Sequence, residues 1–65
     1  MSAYVLGEPP RTPNEAFEAL ENVFGGEEFS FDEAVLVLRE VLDLDSTQAR
    51  SALSGLIRSR AIEEV

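Results

Sequence analysis

The clearest periodicity in the chain lies near its C-terminus. Ala49, Ala52, Leu53, Leu56 and Ile57 follow an i, i+3, i+4, i+7, i+8 spacing, which places all five on one side of a helix. Asp45 and Ser46 both stand where a capping side chain would start this helix, and the pattern alone does not choose between them. The period holds through Arg58 and breaks after Ser59, because Arg60 would fall on the apolar stripe. Ile62-Glu63-Glu64-Val65 then reads as a short edge strand.

A second helix is predicted upstream, running to about Leu44. Ser30-Phe31-Asp32-Glu33 is a capping box, with Ser30 set to accept from the third helical N–H and Glu33 to reach back. Ala34, Val35, Leu36, Val37, Leu38, Val41 and Leu42 leave only a narrow polar strip at Glu33, Arg39, Glu40 and Asp43. Such a helix is expected to be central and buried on more than one side. The first helix is predicted over about Pro13–Phe24. Thr12 would be its cap, Pro13 its first residue and Glu15 the carboxylate of a capping box. Phe17, Leu20, Val23 and Phe24 form its apolar face, Glu15, Glu18 and Glu21 its polar face, and Gly25-Gly26 ends it.

Two short stretches remain. Phe29-Ser30-Phe31 reads as a strand that pairs with Ile62–Val65 in a minimal two-stranded ribbon. Met1 to Arg11 has no helical period, and Pro9-Pro10 imposes an extended connection. Within it, Ala3-Tyr4-Val5-Leu6 either adds a strand, covers the core or frays. The expected organisation is an N-terminal extension over 1–11, extended or partly disordered, and one domain over 12–65. Phe17, Phe24, Phe29 and Phe31 are expected in the core, with Tyr4 the one aromatic left at the surface.

Composition narrows the chemistry. There is no Cys and no His, so a disulfide scaffold is excluded and a zinc site lacks its preferred ligands. No apolar run approaches the length of a membrane span. The first seven residues lack the basic region and apolar core of a signal peptide, which makes the cytoplasm the expected location. A domain of 65 residues buries only about 60% of its unfolded surface, so association with a second copy is a natural expectation. Thirteen acids face five bases, all arginine, for a formal charge of −8. An acidic, lysine-free composition resembles that of proteins from extreme halophiles, which keep hydrated carboxylates at the surface in molar salt. An acidic interaction protein and GC-rich codon bias are the alternatives.

Strand, apolar helix, the polar turn Asp45-Ser46-Thr47, second helix and the exit Leu56-Ile57-Arg58-Ser59-Arg60-Ala61-Ile62-Glu63-Glu64-Val65 resemble the winged helix-turn-helix family over about Phe29 to Val65. The resemblance implies a mainly α domain of three helices and a short ribbon, and duplex DNA as the ligand of its third helix. Two departures stand out. Ala61 occupies a position where the family often turns on glycine, and the chain ends before a second wing strand, so a truncated wing is expected.

Candidate site residues follow from the face of the third helix opposite its apolar stripe. Thr47, Ser51, Ser54 and Arg58 line it, with Gln48, Arg50 and Gly55 at the flanks. No acid occurs between Thr47 and Ala61, a conspicuous gap in so acidic a chain. Small hydroxyls, Gln and Arg are the side chains that contact phosphates and base edges. Two other readings stand beside this one: a plain solvated face, and a small-residue face on which another protein packs. In the protein-contact reading, Tyr4, Val5, Leu6 and the exposed apolar side of the second helix form the interface, with a partner or a second copy.

Catalysis finds no residues. Without His, Cys or Lys, most general bases and nucleophiles active near neutral pH are missing. Glu27-Glu28 and Glu63-Glu64 are adjacent pairs best read as solvated, and Gly25-Gly26 lacks the Lys-Ser/Thr of a phosphate loop. No enzyme activity, cofactor, metal, small-molecule ligand or membrane partner is expected.

Overall fold

The computed structural model describes residues 3–65; Met1 and Ser2, at the tip of the N-terminal extension, lie outside the described residues. Five elements follow in order: β1 (Tyr4–Leu6), α1 (Glu15–Phe24), α2 (Phe31–Val41), α3 (Ser46–Arg58) and β2 (Ile62–Glu64). The fold is mainly α, three helices with a short two-stranded antiparallel ribbon.

Each helix starts on a side-chain cap. Ser30 Oγ accepts from Glu33 N–H at 3.1 Å while Glu33 Oε1 accepts from Ser30 N–H, completing the expected box on α2. For α3 the cap is Asp45. Its Oδ1 accepts from Gln48 N–H at 2.7 Å, and Gln48 Oε1 accepts in return from Asp45 N–H. The start of α1 differs from expectation. Asn14, not Thr12, caps it by accepting from Phe17 N–H at 3.0 Å, and Pro13 stands outside the helix. Asn ranks above Thr as a cap, so the later start is the better one even though it gives up the Thr12–Glu15 box.

Helix ends are equally specific. Gly25 ends α1 at φ +59, donating to the Glu21 carbonyl at 2.9 Å. α2 stops at Val41, earlier than the predicted Leu44, because Asp43 turns to φ +55. After α3, Arg60 takes the left-handed conformation at φ +68. Ala61 N–H donates to the Leu56 carbonyl and Arg60 N–H to the Ile57 carbonyl, the paired bonds of a Schellman cap. The glycine-like turn therefore falls on Arg60, while Ala61 is buried.

The core gathers Ala16, Phe17, Ala19 and Leu20 from α1, Ala34, Val35 and Leu38 from α2, and Ala49, Leu53 and Leu56 from α3, closed by Phe29, Ala61 and Ile62. Phe24 stacks on Phe29 with ring centroids 4.6 Å apart. Two expectations about burial need correction. Val23 runs past the edge of the core and is exposed, its place on the inner face of α1 taken by Ala16 and Ala19. α2 is buried on one side only: Leu36 and Val41 are 53% and 56% exposed. α1 and α3 both pack against α2, on the side that carries Ala34, Val35 and Leu38.

The ribbon also differs from the expected pairing. The partner of β2 is the N-terminal strand: Tyr4 lies opposite Glu64, Val5 opposite Glu63 and Leu6 opposite Ile62. Phe31 is drawn into α2 by the Ser30 cap, which leaves Phe29 to make a single antiparallel bridge to Tyr4 on the far edge of β1. Tyr4 N–H donates to the Phe29 carbonyl at 2.8 Å and Phe29 N–H to the Tyr4 carbonyl at 2.9 Å. β1 thus lies between Phe29 and β2. Tyr4 is half-buried rather than a surface aromatic, its ring centroid 6.3 Å from that of Phe31.

Candidate nucleic-acid interface

α3 positions the candidate residues by simple helical arithmetic. Its inner face, Ala49, Leu53 and Leu56, is locked into the core. At 100° per residue, Thr47, Ser51, Ser54 and Arg58 fall together on the opposite side, and a row over positions 47–58 is about 17 Å long at 1.5 Å per residue. All four are exposed, as are Gln48, Arg50 and Gly55. A Cβ built on Gly55 would meet no atom within 4 Å, so this flank of the row faces open space. No other element covers the outer face of α3 there.

The electrostatics of this surface are local. Residues 46–62 hold Arg50, Arg58 and Arg60 and no acid, while every carboxylate in the sequence lies outside that stretch. Arg58 and Arg60 sit at the C-terminal end of the helix, where cations also offset the helix dipole. At the other end the Asp45 carboxylate is held at the N-cap, close to Thr47, and confines the acid-free surface to the helix body. Gln48 is partly committed: its carboxamide oxygen belongs to the capping box, leaving its amide group as a donor. Arg60 is the residue that the helical period left out of the site. Its exposed left-handed position directly after Ser59 continues the positive end, and the extent of the acid-free stretch was the available signal.

The remaining candidates separate from α3. Tyr4, Val5 and Leu6 are half-buried within the ribbon, where all three pair with β2 and Tyr4 and Leu6 pack against the core. On α2, Leu36 and Val41 are five residues apart and point about 140° away from one another. They are two isolated apolar spots rather than one patch.

Among the described residues no group of three or more His, Cys, Asp or Glu is arranged to hold a metal ion, and no helix is long and apolar enough to cross a membrane. An open cleft of about 360 Å³ lies between the Pro9–Asn14 segment and Phe17, Glu18 and Glu21 of α1. Comparison with protein-family models, curated proteins and solved structures finds no match to this chain.

Proposed function

We propose that this protein is a small non-catalytic binding module that contacts duplex DNA through the outer face of α3, as a DNA-binding or transcription-associated protein of winged-helix-like form. The observation that carries this reading is the bare, acid-free row Thr47–Ser51–Ser54–Arg58 on a helix anchored from behind. A helix of this width enters a major groove about 12 Å wide. Thr47, Ser51 and Ser54 then face base edges, Gln48 lends its free amide group, Arg58 reaches a base or phosphate, and Arg50 contacts a phosphate at the rim. The rival reading, a protein-interaction surface, has Leu36 and Val41 in its favour, but their separation around α2 gives a partner no continuous apolar face.

Net charge sets the conditions. At −8 the long-range field repels DNA at low ionic strength, and phosphate contacts are themselves weakened by salt. In molar salt the Debye length falls to about 3 Å, so local contacts outweigh the global charge. The same acidity supports a halophilic setting, in which the melting temperature climbs steeply from millimolar to molar KCl as self-repulsion is screened. A melting temperature indifferent to KCl would return the acids to a role in partner binding.

Arg58→Glu is the direct test of DNA binding. Retention of host genomic fragments at molar KCl is expected to weaken by about 1–3 kcal/mol. Thermal stability is expected to fall by only about 1 kcal/mol, since Arg58 is exposed and loses chiefly its favourable place at the negative end of α3. Equal retention by the variant and the parent chain would sink the proposal.

A further inference from the structure

We propose that the Tyr4–Leu6 strand is an exchangeable arm, and that the slot between Phe29 and β2 takes this strand from a second copy of the chain. The hydrogen-bonding edges of the slot come wholly from residues 29–65. Phe29 offers one N–H and one carbonyl on one side, and β2 offers its inner edge on the other. Every bond that holds β1 can therefore form identically with a strand from another molecule.

The segment between arm and body decides whether exchange occurs. Gly7 belongs to the strand end: its N–H donates to the Ala61 carbonyl at 2.7 Å, and a Cβ there would sit 2.9 Å from the Arg60 carbonyl oxygen. The connection is thus Glu8–Pro13, six residues of which three are proline. Prolines offer no N–H for bonding to the body, and the connection bends at Glu8, Arg11 and Thr12 on its way to α1. Straightened, at about 3.1 Å per residue, six residues reach about 19 Å. That matches the shortest dimension of the molecule, 20 Å. The connection is also loosely seated, since the open cleft of about 360 Å³ lies between it and α1. A tether that, among the described residues, makes no backbone hydrogen bond to the body and reaches one molecular width when straightened lets its strand pass to a neighbour. The charge of −8 opposes the encounter at low salt, so exchange grows with both protein concentration and ionic strength.

The absence of cysteine makes the test clean. Val5 and Glu63 lie opposite one another. Backbone-paired residues are about 5.5 Å apart, within disulfide range. Chains carrying Val5→Cys and chains carrying Glu63→Cys, mixed unfolded, refolded together in molar KCl and oxidised, are expected to give chiefly the mixed disulfide dimer. Its fraction should rise from micromolar to millimolar protein. Adding Pro9→Gly and Pro10→Gly, which relaxes the tether, is expected to lower it about tenfold. The double variant Val5→Cys/Glu63→Cys at micromolar concentration should close its bond within one chain, which checks the register independently of exchange. A mixed dimer no more abundant than the two symmetric disulfides at every concentration would overturn the proposal. So would failure of the double variant to close at all.

Discussion

α2 and α3 have nearly the same inner face and opposite outer faces. Each is opened by a capping box, each buries three apolar side chains fully, and each is followed by a left-handed residue, Asp43 or Arg60. Outward, α2 presents Asp32, Glu33, Arg39 and Glu40 with the exposed Leu36 and Val41, whereas α3 presents hydroxyls, a glycine and arginines without an acid. The inner faces are set by the need to close one small core. No such need acts on the outer faces, so their divergence is where a difference in role is written.

If the inner faces are equivalent, their central leucines should be equally costly to lose. Leu38 and Leu53 are 0% and 1% exposed. Truncation of either to Ala is expected to cost about 2–5 kcal/mol. In so small a domain that approaches the whole stability, and chemical denaturation followed by circular dichroism would read it. A Leu53→Ala variant that unfolds like the parent chain would show that the inner face of α3 is wrongly placed.

The caps provide a smaller and finer comparison. Ser30→Ala and Asp45→Ala each remove one capping acceptor and are expected to destabilise by about 1 kcal/mol. The two losses should agree to within a few tenths, since the boxes are built alike; a loss confined to one helix would mean that the other is held by packing alone.

The smallest effect separates the helix ends. Asp tolerates the left-handed region better than Arg does. Arg60→Gly is therefore expected to raise stability by about 0.5–1 kcal/mol, while Asp43→Gly gains less. Equal gains at both positions in thermal melts would remove this distinction.

Legibility in the sequence followed the range of the interaction. The Ser30–Glu33 box, the end of α3 and its buried stripe were readable, because each is decided within one or two helical turns, whereas the choice of Asp45 over Ser46 as the α3 cap was not. The start of α1 misled for a local reason: Thr12 and Glu15 mimic a capping box, while Asn14 supplies the better cap one residue inside Pro13. The ribbon was hidden for a different reason. Phe29–Phe31 and Tyr4–Leu6 compete for a place in the sheet, and only the non-local fit of Leu6 against Ile62, together with the pull of the α2 cap on Phe31, settles it. For the candidate residues, the helical period gave their exposure, which follows directly from the buried stripe on the opposite side of α3. The capping role of Gln48 and the left-handed turn at Arg60 depend on backbone geometry that residue types do not encode.

The central claim is that α3, not α2, is the binding face. Titrating short duplex DNA into the isotopically labelled protein at molar KCl, with backbone amide shifts followed by NMR, tests it most directly. Shifts are expected at Thr47, Ser51, Ser54, Gly55, Arg58 and Arg60, with Leu36, Glu40 and Val41 unmoved. Shifts centred on α2 instead, or none anywhere at saturating DNA, would contradict it.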